Sequence, residues 1–190
     1  ESRGLGDVYK RQDQEIGAGF TQPAGQAHAE VMALNAAGDA TGATAYVTLE
    51  PCSHQGQTGP CASALTDAGV ARVVVAVEDP NPQVAGRGIA ALRAAGIEAE
   101  LGEGAEQVEA DLAGFLMRMR RGYGRITLKI AMSLDGRTAM PSGESQWITG
   151  EDARADVQRL RAESDLMVTG VGTVLADDCR PVSYTHLTLP

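Results

Sequence analysis

Four side chains have the types and spacing to do chemistry together: His28 and Glu30 in His28-Ala29-Glu30, Cys52 after Pro51, and Cys61 beyond a short loop. Two thiolates and one imidazole supply three zinc ligands and leave a fourth tetrahedral position open, which suits a catalytic rather than a structural site. Zinc lowers the pKa of a bound water to about 7, so a nucleophile is available at neutral pH. Glu30 then has the role of proton carrier, taking a proton from that water and returning it to a departing amine. The combination points to hydrolytic deamination. A lone His-x-Glu or Pro-Cys is commonplace and carries nothing; the weight lies in the four residues occurring in order on neighbouring elements. Two other readings use the same residues. A structural zinc would want a fourth ligand, and His54, the only nearby candidate, lies too close to Cys52 along the chain. Buried thiols without metal are the third reading.

The elements that must position these groups follow from local pattern. Residues 14–20 read as the end of a strand and 21–27 as a Gly/Pro loop. Residues 28–37 form a helix stopped by Gly38, and 43–49 a buried strand running into Pro51. Residues 61–68 form a second helix closed by Gly69. The run Val73-Val74-Val75-Ala76-Val77 within 72–77 has the unbroken apolar character of a parallel strand. A turn at 79–82, a helix at 89–95 and a short strand at 97–101 follow. A helix over 105–120 puts Val108, Leu112, Phe115, Leu116 and Met119 on one face. Strands alternating with helices give an α/β domain with a parallel or mixed sheet. His28 and Glu30 thus fall in the first turn of one helix and Cys61 in the first turn of the next. A helix N-terminus favours anions, so Cys61 is expected as the thiolate.

Gly122-Tyr123-Gly124 reads as a boundary. Beyond it a second unit runs as a strand at 125–133, a helix at 150–163, a strand at 166–170 and a helix at 172–176. Residues 1–12 show no useful periodicity, and 181–190 follow from nothing before them; both are expected to be non-native flanks that add nothing to the fold.

Composition narrows the partners. The 190 residues carry a net charge of −9 without any Lys/Arg run, which disfavours a polynucleotide substrate. A small phosphorylated molecule remains compatible, because one or two local cations suffice for it. Apolar content of 43% and charged content of 22% describe an ordinary globular chain with no stretch long enough to span a membrane. Three cysteines, an odd number, fit a reduced cytoplasmic compartment with metal-binding thiolates better than a disulfide framework.

The interval between the cysteines holds eight residues, Ser53-His54-Gln55-Gly56-Gln57-Thr58-Gly59-Pro60, where ordinary cytidine and tRNA adenosine deaminases have two. Together with His28-Ala29-Glu30-Val31, Thr48-Leu49-Glu50-Pro51-Cys52-Ser53-His54 and the 79–88 segment, this resembles the bifunctional riboflavin-biosynthesis deaminase/reductase family. The second unit matches as well, in Lys129 to Ala139, Gly143 to Thr149 and Gly172 to Asp178. The resemblance runs from about residue 15 to 178. It implies a cytidine-deaminase-like three-layer α/β domain over 13–122, then the start of a dihydrofolate-reductase-like α/β domain over 125–180.

The implied chemistry is zinc-dependent deamination of a phosphorylated diaminopyrimidine ribosylamine, then NADPH-dependent reduction of its ribosyl group to ribityl. By the same resemblance Ala131, Trp147, Thr173 and Asp177 would contact NADPH, and Ser145 and Arg161 the sugar-phosphate substrate. An Arg suits phosphate because its planar fork pairs with it bidentately. Lys129 would add a cation for the phosphate or the opened sugar, and His54 would touch substrate beside the metal. A homo-oligomer is expected from the family alone. The family's first helix and strand are expected to be missing ahead of residue 15, which would expose a sheet edge. Departures are Gly59 and Cys179, each where the family has Pro. Other nucleoside deaminases, or a catalytically incomplete fragment, are the competing functions.

Overall fold

The computed structural model describes residues 6–11, 14–56 and 58–177, which divide into two compact units between Arg125 and Ile126. The expectation for the tail at 181–190 lies outside the described residues.

In the first unit the elements run β1 (Gly6–Arg11), β2 (Gln14–Phe20), α1 (Ala29–Ala37), β3 (Thr44–Leu49), α2 (Cys61–Asp67) and β4 (Arg72–Val77). They continue with α3 (Arg87–Ala94), β5 (Glu98–Leu101), α4 (Ala105–Asp111) and α5 (Ala113–Arg121). The sheet order is β2-β1-β3-β4-β5. β3, β4 and β5 are parallel, with Val47 opposite Val75 and Val73 opposite Ala99, whereas β1 is antiparallel to both its neighbours.

The apolar run of β4 explains the layering, because it is covered on both faces. On one side Val73 and Val75 join Ala45 and Val47 of β3 beneath Ala33 of α1, Ala62 and Leu65 of α2, and Ile89 and Leu92 of α3. On the other, Ala76 and Val77 meet Leu116, with Val108 and Leu112 alongside. Three layers result. Leu65 and Leu92 are fully buried, each stabilising the fold by roughly 1.5–3 kcal/mol relative to exposure. Helix α1 lies directly on β2 because Gly17 and Gly19 have no side chain. A Cβ on Gly19 would stand 2.4 Å from Ala33 N and 2.6 Å from Ala29 O.

Two expectations need correction. Residues 6–11 are not featureless flank: they form β1, inside the sheet between β2 and β3. A strand bonded on both sides is held by its backbone and needs no apolar alternation of its own. β1 therefore covers the edge of β3, and β2 is the outer strand on that side. The long helix at 105–120 is two helices, bent at Leu112 (φ −93°, ψ 10°), so that Val108, Leu112 and Leu116 all reach Ala76 and Val77.

The second unit holds α6 (Glu151–Ala162) and α7 (Val171–Asp177). The strands expected at 125–133 and 166–170 are absent from the described residues. Ile126, Leu128, Leu166 and Val168 are each more than 80% exposed. A strand exists only where a neighbour takes its N–H and C=O groups, and no described residue offers that ladder. Val157 and Leu160 of α6 are half-buried.

Candidate metal centre

Each metal-ligand candidate sits where an element begins or ends. His28 is the N-cap of α1 in an extended conformation, and the Ala29 N–H donates to Thr21 Oγ1 at 3.3 Å, fixing how the loop meets the helix. Pro60 is the N-cap of α2, placing Cys61 in its first turn. Cys52 follows the end of β3, and the start of α2 is fastened onto it. The Cys61 N–H donates to Cys52 Sγ at 3.3 Å and the Ala62 N–H to Cys52 O at 3.1 Å.

His28 Nδ1 lies 3.3 Å from Cys61 Sγ and 3.8 Å from Cys52 Sγ, and the three ligand atoms fall within 4.8 Å of one another. Metal–ligand lengths of about 2.3 Å for sulfur and 2.0–2.1 Å for nitrogen, at tetrahedral angles, require N–S separations of about 3.6 Å. The two observed values bracket that figure, so the donor set fits a tetrahedral zinc.

The electrostatics also ask for a cation. Glu30 is buried, and burial first of all pushes its carboxyl above the ordinary range. The Cys52 thiol is pulled down to about 5, chiefly by the hydrogen bond from Cys61 and further by the Cys61 N–H and His28. The Cys61 thiol is pushed far up by its pairing with Cys52, by burial and by Glu30. The two thiols are thus pushed in opposite directions by each other's company. Without a cation, a second thiolate beside Cys52 and Glu30 would gather three negative charges away from water. A divalent ion removes that obstacle and lets both sulfurs ionise.

A cavity of about 290 Å³ opens over the triad, with His28, Cys52, Gln26, His54, Gly56 and Thr58 in its wall. His54 is exposed and takes part in this wall. Glu50, not among the residues expected to do chemistry, is 3% exposed at the end of β3. Its Oε1 accepts from the Gly88 and Ile89 N–H groups at 2.8 and 3.1 Å, and its Oε2 from Gly86 and Asp79 at 2.8 and 3.3 Å. The available signal was a carboxylate at a buried strand end followed by Pro-Cys, with Gly86-Arg87-Gly88 later in the chain.

The remaining candidates belong to the second unit. Lys129 and Ala131 lie on the irregular 125–133 segment; Ser145 lies on an irregular stretch and Trp147 on a turn before α6. Trp147 is 73% exposed, with the Arg154 guanidinium 4.6 Å from its ring centre. Arg161 is on the last turn of α6, while Thr173 and Asp177 belong to α7. Among the described residues no hydrogen bond joins Lys129, Ser145, Arg161 and Thr173 to one another; Arg161 donates to Gln158 Oε1 at 3.4 Å.

Comparison with known proteins agrees with this division. Residues 6–77 match the family described as the cytidine and deoxycytidylate deaminase zinc-binding region, and residues 125–186 match the RibD C-terminal domain. The class is therefore an α/β chain that joins a cytidine-deaminase-like domain to RibD C-terminal sequence. Riboflavin biosynthesis protein RibD of Escherichia coli (strain K12) is 57% identical over 175 residues, 92% of this chain and 48% of that protein. An Acinetobacter baumannii RibD structure is 54% identical with TM-score 0.83, covering 97% of this chain and 52% of that one. A diaminohydroxyphosphoribosylaminopyrimidine deaminase/5-amino-6-(5-phosphoribosylamino)uracil reductase from Thermotoga maritima is 35% identical with TM-score 0.87, covering 95% and 52%. The chain is a RibD homologue, and it spans about half the length of the curated relatives it matches.

Proposed function

We propose that the first unit is a zinc-dependent hydrolase that deaminates 2,5-diamino-6-(5-phosphoribosylamino)pyrimidin-4(3H)-one, a step of riboflavin biosynthesis. The observation that carries this reading is the convergence of His28 Nδ1, Cys52 Sγ and Cys61 Sγ within 4.8 Å beside the buried Glu30. Held by those three atoms, zinc would supply Lewis acidity that lets water act as a nucleophile near neutral pH. Glu30 takes the water's proton on its carboxylate and delivers it to the amino group as the C–N bond breaks, so the ring gains oxygen and ammonia leaves. Its raised pKa suits both halves of that exchange. Gln26, His54 and Thr58 would bind the pyrimidine, a role supported by their position in the cavity wall.

The second unit we assign to the NADPH-dependent reduction of ribosyl to ribityl. Ala131, Trp147, Thr173 and Asp177 are proposed to bind NADPH, and Lys129, Ser145 and Arg161 the sugar phosphate. The support is the RibD C-terminal match over 125–186. No helix among the described residues is long and apolar enough to cross a membrane, and we place the reaction in the cytoplasm as a small-molecule step, in a homo-oligomer. The deciding experiment measures bound zinc and ammonia release from the diaminopyrimidine phosphate, with cytidine in parallel. One zinc per chain with release from the former alone is expected. A chain that binds no transition metal yet releases ammonia would overturn the reading.

A further inference from the structure

We infer that Glu50 is a positioning residue for the metal centre, because its buried carboxylate locks the Pro51-Cys52 turn to the 79–89 segment and so aims Cys52 Sγ at His28 and Cys61. The inference rests on the zinc reading given above.

Glu50 stands where β3 gives way to the ligand-bearing loop, and its own N–H continues the parallel ladder by donating to Val77 O at 2.9 Å. Its side chain then accepts the four backbone N–H bonds already described, two on each oxygen. Two of those donors, Gly88 and Ile89, belong to α3, where free N–H groups and the helix dipole favour an anion. A carboxylate is the side chain suited to this place, since only it offers acceptors on both oxygens and no donor. Hydrogen bonds to an ionised group are roughly twice as strong as neutral ones, which makes the clamp stiff.

A second contact fixes the same turn independently. Gly88 lies so close to Pro51 that a Cβ on it would stand 1.9 Å from Pro51 O and 3.1 Å from Glu50 Cγ. Pro51 is fully buried, and its ring fixes φ. One residue on, Cys52 accepts the Cys61 and Ala62 N–H groups. From α3 through Glu50 and Pro51 to Cys52 there is thus a continuous chain of short contacts. The other end of the clamp is Asp79, whose Oδ1 accepts from the Asn81 N–H at 2.8 Å. Metal ligation and the conformation of residues 79–89 are thereby coupled.

The isosteric variant Glu50→Gln replaces one acceptor oxygen by a donor that must face two N–H groups. Partners that orient metal ligands are commonly worth 10- to 100-fold in metal affinity, and a loss of that size in zinc affinity, read by chelator competition on the folded chain, is expected. Ile97→Val, a core change in the strand connection away from the ligands, should leave zinc affinity unchanged. Coupling is reciprocal, so loading the unsubstituted chain with zinc should slow hydrogen exchange at Asp79, Gly86, Gly88 and Ile89. That measurement needs no variant and decides the matter if Glu50→Gln does not fold. Zinc affinity within twofold of the parent, or exchange at those amides indifferent to zinc, overturns the inference. A parent chain that binds no zinc overturns the zinc reading itself, and this inference with it.

Discussion

Glu30→Gln should separate activity from stability, with opposite signs. The change keeps the shape of a side chain that is only 7% exposed and removes its ability to carry a proton. Positioned acid–base groups contribute typically 10²–10⁴-fold in rate, or roughly 2.7–5.4 kcal/mol of barrier at 1.36 kcal/mol per decade. Ammonia release should fall by that factor while zinc content stays at the parent's level. Stability should move the other way in the metal-free protein. Burial, the largest influence on Glu30, holds its folded pKa above the usual 4.5, so the ionised form costs folding free energy. That cost is fully present above the folded pKa and is relieved as pH falls through it towards the unfolded value. Gln removes the cost, so metal-free Glu30→Gln should melt no lower than the parent at neutral pH and show a flatter stability–pH profile over that window. Turnover within tenfold of the parent at full zinc occupancy would refute the proton-carrier role. A rate loss accompanied by lost zinc would show that Glu30 acts by holding the site together.

Gly19→Ala should destabilise the first unit by about 1–3 kcal/mol, because the new methyl meets the α1 backbone at 2.4 and 2.6 Å; an unchanged urea midpoint would contradict the close seating of α1 on β2. Asp79→Asn should leave the chain as stable at neutral pH or more so. Burial, with Glu50 nearby, raises the Asp79 carboxyl, and an Asn oxygen can still accept the Asn81 N–H. The parent should regain ground on the variant as pH falls through the raised pKa towards 3.8, and a parent that loses stability relative to Asp79→Asn in that window would reverse the assignment. Amides of residues 126–132 should exchange with no measurable protection, since no described strand pairs with them; slow exchange there would reveal a partner.

What could be read from the sequence follows the physics of each element. The bounds of β2 and β4 come directly from pattern, since β4 is apolar at almost every position and is buried on both faces. The cluster of His28, Cys52 and Cys61 is equally legible, because soft donors at helix starts and a strand end have few other uses. β1 is not legible: Gly6–Arg11 holds its place by backbone bonds to β2 and β3, which leave no mark on side-chain pattern. The apolar segments 125–133 and 166–170 fail for the converse reason. Their composition encodes strands, but a strand is a relation between segments and needs its neighbour.

Glu50 shows a third kind of illegibility. Between Leu49 and Pro51 it reads as a polar residue leaving a strand, the most ordinary of positions. Its four donors lie 29 to 39 residues further along the chain and are backbone groups, for which the amino-acid sequence has no letter. Only the absence of side chains at Gly86 and Gly88 records them, and a glycine's reason for being small is visible only once Pro51 is seen against it. The ligands of such a centre can therefore be found by their chemistry, while the groups that aim them must be found by asking where each buried charge is satisfied.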